Sequence, residues 1–138
     1  MTIQTADIKR IVLVRLEPGD DILAGLQEAV KAEGITNGLI MNGLGSSQSY
    51  RYHVVASNEL PPLEAFPAAR EPRDIVSYSG AILNGRVHAH ITFSDSTKAE
   101  GGHLEPGTQV LTFTIITIAD LGDDLDIANW DKIWELEQ

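Results

Sequence analysis

The chain has 138 residues, of which 43% are hydrophobic and 22% are charged, a composition typical of a globular protein and unlike that of a disordered one. Asp and Glu together number 20 against 10 Lys and Arg, and the resulting net charge of −10 disfavours nonspecific binding to nucleic acids or anionic lipids. The sequence has no cysteine, which excludes disulfides and thiolate ligands, so any bound metal must have nitrogen or oxygen ligands.

The length predicts one domain over residues 1–138, because such a chain can bury one continuous core but not two substantial ones. Its first ten residues, MTIQTADIKR, lack the apolar segment of a signal peptide. No apolar run approaches the ~20 residues needed to cross a bilayer. We therefore expect a soluble, cytoplasmic protein with no membrane partner.

The first predicted elements are a strand and an amphipathic helix. Residues 8–16 alternate and are rich in Ile and Val, which predicts a strand that ends at Pro18-Gly19. Asp20 and Asp21 then provide an N-cap and negative charge for a helix that Gly34 ends. Its apolar residues recur at helical spacing: Ile22, Leu23, Leu26, Ala29 and Val30.

The next segments predict two strands, a turn and an irregular loop. Residues 35–41 and 50–56 have strand patterns, and the glycine-containing segment 42–47 between them predicts a turn. Residues 57–72 contain four of the six prolines, which favours a loop that could act as a lid.

A hairpin and a long last strand complete the predicted sheet. Residues 74–83 and 86–93 flank Asn84-Gly85, a dipeptide typical of two-residue hairpin turns. We expect a loop over residues 94–107 and a strand over 109–119. The acidic tail, residues 121–138, carries Trp130 and Trp134 and could form a short helix whose aromatic rings pack on the body or on a neighbouring subunit.

Three histidines form the main candidate site. His88 and His90 are two residues apart on a predicted strand, so both imidazoles leave the same face of the sheet. His103 follows Gly101-Gly102, which could bend the backbone and bring that ring towards the first two. Three histidines with one open coordination position are typical of catalytic zinc sites, although such spacing also occurs where histidines only form ordinary hydrogen bonds.

Other polar residues have several interpretations. Glu100 and Glu105 could serve as a fourth ligand, a hydrogen-bond acceptor or a general base, but solvated loop carboxylates are the simpler interpretation. We interpret His53 as an ordinary residue. Arg15 and the turn from Asn42 to Ser46 could hold an anion if they border the same pocket, whereas a surface ion pair and a tight turn are the alternatives.

Several segments, in the same order and over almost the full length, resemble the plant-and-prokaryote conserved (PPC) domain family, also called domain of unknown function 296. The matching segments are Arg15-Leu16 through Pro18-Gly19-Asp20-Asp21-Ile22, Gly43-Leu44-Gly45-Ser46, DIVSYSG at 74–80, His88-Ala89-His90, and Gly101-Gly102-His103-Leu104 with Gly107. Each segment alone is weak, but together they are specific.

The resemblance implies an α+β fold with a mostly antiparallel sheet flanked by helices, assembled as a homotrimer. It also implies zinc or a similar divalent metal on His88, His90 and His103. The fold looks similar to that of acetolactate decarboxylase, whose zinc is likewise held by an H-x-H pair and a later histidine. This chain shows no assured counterpart of that enzyme's catalytic glutamates.

Three functions are consistent with these features. The first is a metal-dependent enzyme acting on a small carboxylated or carbonyl-containing metabolite, and the second is a noncatalytic trimeric assembly module. The third is DNA binding, since prokaryotic members are often labelled as DNA-binding proteins. Plant members bind AT-rich DNA through a separate Arg-Gly-Arg-Pro segment that is absent here, and the net charge of −10 makes DNA an unfavourable partner.

Overall fold

Alternating apolar and polar residues along most of the chain form nine strands of one antiparallel sheet in the computed structural model, which describes residues 1–133. The strand order is β1-β9-β2-β6-β7-β8-β3-β4, and β5 also pairs with β3. The elements are β1 Arg10–Leu16, α1 Ile22–Ala32, β2 Asn37–Ser47, β3 Tyr50–Val55, β4 Glu64–Ala65, β5 Ala68–Ala69, β6 Arg73–Leu83, β7 Arg86–Ser94, β8 Ala99–Leu104 and β9 Val110–Gly122. The predicted α+β class is confirmed.

Helix α1 begins and ends where the sequence indicates. The Asp21 side chain caps it by accepting a hydrogen bond from the Ala24 N–H at 3.0 Å. Gly34, just beyond the helix, has a φ of +64°, which favours glycine there. Within residues 1–133 this is the single α-helix, where the resemblance implied more than one.

The core lies between α1 and one face of the sheet, which we call the inner face. The helix residues Ile22, Leu26 and Val30 are buried against it. Their partners are alternate residues of the strands, including Ile116, Ile118, Ala89, Ile91 and Phe93. The residues between these, on the outer face, point away from the helix.

The predicted hairpin is confirmed. Strands β6 and β7 pair around Asn84 and Gly85, whose φ values are +52° and +80°. Both central residues of this turn need positive φ, and Asn-Gly is the dipeptide that adopts such a conformation most easily.

The predicted turn at residues 42–47 is wrong, because β2 continues through Ser47 and pairs with both β6 and β9. Its glycines permit close approach of neighbouring groups instead. A Cβ at Gly43 would lie 2.4 Å from the Tyr78 ring, and one at Gly45 would lie 2.3 Å from the Phe113 carbonyl oxygen. A side chain at either position would therefore clash.

The loop predicted over residues 94–107 is also partly wrong, because it contains strand β8. Gly101 and Gly102 lie within this strand and do not bend it. A Cβ at Gly101 would be 2.0 Å from the Ile91 carbonyl oxygen, and one at Gly102 would be 2.5 Å from that of His53. The paired glycines therefore let β8 fit closely between β7 and β3.

The tail forms turns where we predicted a helix. Hydrogen bonds from the Trp130 N–H to the Ile127 carbonyl and from the Lys132 N–H to the Asn129 carbonyl define these turns. Ile127 is buried, whereas half of Trp130 is exposed, and Trp134 lies outside the described residues. Among residues 1–133, no helix has the length and apolar character needed to span a bilayer.

Candidate metal centre

Three adjacent strands bring histidines together on the outer face of the sheet. His103 of β8 lies opposite His90 of β7 on one side and opposite His53 of β3 on the other. Because neighbouring strands are about 4.8 Å apart, these three imidazoles form a row across the sheet. His88 lies two residues from His90 on the same face, so all four histidines of the chain belong to this cluster.

The rings of His88, His90 and His103 are neighbours on the outer face. The ring centroid of His88 is 5.5 Å from that of His90 and 4.6 Å from that of His103, and His90 and His103 are 5.7 Å apart. His103 is brought to the pair by strand pairing, whereas we expected a bent loop.

His53 was interpreted as an ordinary residue, yet its ring stacks on His103 with the centroids 4.2 Å apart. Its Nδ1 is 2.5 Å from a carboxylate oxygen of Glu105, which itself is 3.6 Å from His103 Nδ1. Each of these three residues offers one ligand atom, and the atoms lie within 4.8 Å of one another. No local motif marks His53, because only the register of β3 with β8 brings it here.

The two glutamates are both more enclosed than solvated loop residues. Glu105 belongs to the histidine cluster, as its contact with His53 shows. Glu100 instead accepts hydrogen bonds from the Tyr52 hydroxyl at 2.9 Å and from Arg73 Nε at 3.1 Å. Glu100 is therefore part of a separate ion-pair network outside the histidine cluster.

The surroundings of two imidazoles, those of His90 and His103, favour their neutral form. Burial lowers the pKa of His90, and the neighbouring His88 lowers it further. Burial likewise lowers the pKa of His103, with His53 and His88 contributing. Neutral imidazole is the form that binds metal ions.

A buried ring nitrogen without a partner is a second feature of the histidines that fits a metal ion. His103 Nδ1 is buried and has no hydrogen-bond partner in the structure, and such an atom is destabilising unless something satisfies it. A metal ion or a proton shared with Glu105 would satisfy this nitrogen. The donor set, which consists of imidazoles and carboxylates, is the one that zinc and similar divalent ions prefer.

The tail contributes an aspartate to the cluster. Asp131 lies 2.7 Å from His88 Nδ1 and accepts two hydrogen bonds from Arg86, at 2.6 and 2.8 Å. The Arg86 guanidinium holds the pKa of Asp131 well below its usual range, and His88 adds to this effect.

The predicted anion-binding residues lie elsewhere. Arg15 is exposed on the edge strand β1, where it pairs with Glu17 and lies over the Phe113 ring. Asn42 and Ser46 are on β2, and the Ser46 hydroxyl is 2.5 Å from that of Thr112. Strand β6 separates β2 from β7, and β1 is farther still. Within one chain the structure therefore does not bring these three residues to the histidines.

Comparison with known proteins gives one family. The sequence profile of the Plants and Prokaryotes Conserved (PCC) domain matches residues 3–122. Among curated proteins, the bifunctional protein GlmU of Synechococcus sp. (strain JA-2-3B'a(2-13)) is 28% identical over 112 residues, which make up 80% of this chain. The match spans only 17% of that relative's length.

Three solved structures share the fold. The metal-containing protein AF0104 of Archaeoglobus fulgidus is 20% identical with a TM-score of 0.77, over 93% of this chain and 96% of its own. A PPC protein of Pyrococcus horikoshii is 23% identical with a TM-score of 0.74, over 89% and 87%. A protein of Bacteroides thetaiotaomicron described as a candidate for DNA binding is 24% identical with a TM-score of 0.73, over 85% and 82%. These identities establish similarity of fold alone.

Proposed function

The chain belongs to the Plants and Prokaryotes Conserved domain family, and we propose that it binds a divalent metal ion, most suitably zinc, through His88, His90 and His103. The observation that carries this proposal is the proximity of the three rings, whose centroids are 4.6 to 5.7 Å apart, together with the buried Nδ1 of His103, which has no hydrogen-bond partner. The description of the Archaeoglobus protein as metal-containing agrees with it.

We further propose that the site acts on a small carboxylated or carbonyl-containing metabolite. A divalent ion held by His88, His90 and His103 would supply a Lewis acid that could polarise an oxygen of such a molecule. On the chain itself, the carboxylate of Glu105 is hydrogen-bonded to His53 Nδ1, so this pair can hold a proton beside the cluster. Arg15 has no part in this proposal, since it lies on the far edge of the sheet.

Metal analysis of protein purified without a histidine tag or chelator tests the metal site. We expect about one zinc per chain after zinc supplementation, and loss of that zinc in His88→Ala and in His103→Ala. Glu28→Ala is the matched control, because Glu28 is exposed on α1, on the opposite side of the sheet from the histidines, and it should retain the metal.

The His53→Ala variant separates two ligand sets. If His88, His90 and His103 hold the ion, His53→Ala should still bind zinc with the same stoichiometry. Loss of zinc in His53→Ala but not in His88→Ala would instead assign the ion to His53, His103 and Glu105, whose ligand atoms lie within 4.8 Å of one another. Absence of zinc from supplemented wild-type protein would refute the proposal.

A noncatalytic trimeric module is the second candidate function, and the outer face of the sheet favours it. Large apolar side chains remain exposed on adjacent strands of this face in the described chain, and exposed apolar surfaces of this kind mark interaction sites. They are Ile11, Leu13, Leu39, Leu44 and Ile115. We propose that other copies of the chain cover this face in a homotrimer, as the family resemblance implies.

DNA binding has the weakest support. The net charge of −10 repels the phosphate backbone, and the sequence lacks the basic segment that plant relatives use. Duplex DNA titrated at low salt tests this function. Tight binding that weakens steeply with added salt would support it, and we expect no such binding.

A further inference from the structure

We infer that Asp131 is a positioning residue for the metal site, because it fixes which nitrogen of His88 carries the proton. This inference rests on the proposed metal site and deepens it. Asp131 is 43 residues from His88 in sequence, so no motif connects the two residues. The tail brings them together only in the folded chain.

The Asp131 carboxylate is held firmly in place. Its side chain is only 15% exposed, and Arg86 donates to both of its oxygens, at 2.6 and 2.8 Å. The same guanidinium donates to the Ala128 carbonyl at 3.2 Å. Upstream, the Asn37 amide donates to the carbonyls of Gly122 and Leu125. The tail is therefore attached to the body of the protein at several points before Asp131 and at Asp131 itself.

The chemistry of the contact determines the tautomer. An ionised carboxylate can only accept hydrogen bonds, so the 2.7 Å contact requires His88 Nδ1 to carry a proton. A neutral imidazole carries one proton, which leaves Nε2 with a free lone pair. His88 is thereby prepared as an Nε2 ligand, with its ring orientation fixed. Carboxylates that accept from the other nitrogen of a ligating histidine commonly have this effect in metal sites.

Nitrogen-detected NMR of uniformly labelled, metal-free protein tests the tautomer directly. We expect His88 to be the Nδ1–H tautomer in the wild type and a mixture of tautomers in Asp131→Asn. Asp124→Asn removes the same charge from an exposed position of the same tail and should leave the tautomer unchanged. An Nε2–H tautomer in the wild type, or no change in Asp131→Asn, would overturn the inference.

Zinc titration of the same proteins provides the second measurement. Asp131→Asn should weaken zinc binding by about tenfold to a hundredfold, as for other carboxylates that orient a ligating histidine. Asp124→Asn should bind zinc like the wild type. If Asp131→Asn does not fold, Arg86→Gln, which releases the carboxylate from its clamp, should show a smaller loss in the same direction. Unchanged affinity in the folded variant would overturn the inference.

The two measurements separate this inference from the proposed function. A wild-type protein that takes up no zinc, yet shows a His88 tautomer that depends on Asp131, would refute the metal site and support the positioning contact. Zinc uptake with a tautomer insensitive to Asp131 would support the metal site and overturn the positioning role.

Discussion

Gly101 shows how a single residue without a side chain can determine the geometry of the histidine cluster. It lies two residues before His103 on β8, and a Cβ at this position would be 2.0 Å from the Ile91 carbonyl oxygen. The obstructing atom is backbone, so it cannot rotate away. We expect Gly101→Ala to destabilise the fold by about 1 to 3 kcal/mol and to weaken metal binding. Urea unfolding followed by circular dichroism measures the first effect.

Gly25→Ala is the matched control for this prediction. A Cβ at Gly25 would meet only the flexible end of the Leu16 side chain, at 2.8 Å. Alanine is also favoured over glycine inside a helix by about 1 kcal/mol. Gly25→Ala should therefore be close to neutral. Equal destabilisation by the two variants would contradict our account of Gly101.

Tyr52 makes the free energy of unfolding depend on pH in alkaline solution. Burial, followed by the hydrogen bond to Glu100, raises the pKa of Tyr52 from 10.0 to about 12. The folded chain thus holds this proton more tightly than the unfolded chain, so Tyr52 stabilises the fold below pH 10 and this contribution is lost as the pH rises towards 12. Stability measured by urea unfolding should fall less steeply over this range in Tyr52→Phe. An identical slope would contradict the prediction.

At the residue scale, the sequence predicted part of the candidate site. The alternation of β7 places His88 and His90 on one face, and this follows from the period of a strand alone. His53 and Asp131 could not be found in the same way. The position of His53 in the cluster depends on which strand pairs with β8, and that of Asp131 depends on the path of the tail. Neither contact leaves a local pattern in the sequence.

Helix α1 depends on one capping residue that also connects it to the loop between β8 and β9. One oxygen of Asp21 accepts from the Ala24 N–H at 3.0 Å, and the other accepts from the Gly107 N–H at 2.7 Å. Asp21→Ala should reduce stability by about 0.5 to 2 kcal/mol for the lost cap, with a further loss from the unpaired Gly107 N–H. The midpoint of urea unfolding measures the change.

Asp21→Asn and Glu28→Ala complete this test. Asparagine keeps one acceptor oxygen, so Asp21→Asn should lose less stability than Asp21→Ala. Glu28 is exposed in the middle of the same helix, and its substitution should have little effect. The capping account is wrong if Asp21→Ala and Glu28→Ala behave alike.

Glycine has two different structural uses in this chain, and this difference explains why some elements were predicted correctly and others were not. At Gly34 and Gly85 glycine has a positive φ, and the predicted helix end and hairpin are confirmed. At Gly43, Gly101 and Gly102 it lies inside a strand, where it makes room for neighbouring atoms. The sequence alone does not separate these two uses, because both require only the absence of a side chain.

For the whole molecule, the outer face of the sheet has two parts. Strands β7, β8 and β3 carry the histidines, and strands β1, β9 and β2 carry exposed apolar side chains. Register places Leu39 opposite Ala81 and Ala81 opposite His88, so the apolar part and the histidine part are contiguous. Copies that cover the apolar part would therefore come close to the histidines.

The oligomeric state tests this arrangement. Leu13 is 69% exposed on the apolar part, so in a homotrimer that buries this face Leu13→Asp would place a charge in an apolar contact. We expect the wild type to sediment as a trimer and Leu13→Asp to dissociate at the same concentration. Leu60→Asp, at a 64% exposed site in the loop before β4, should leave the trimer intact. A monomeric wild type at all concentrations, or dissociation by Leu60→Asp alone, would show that other copies do not cover this face.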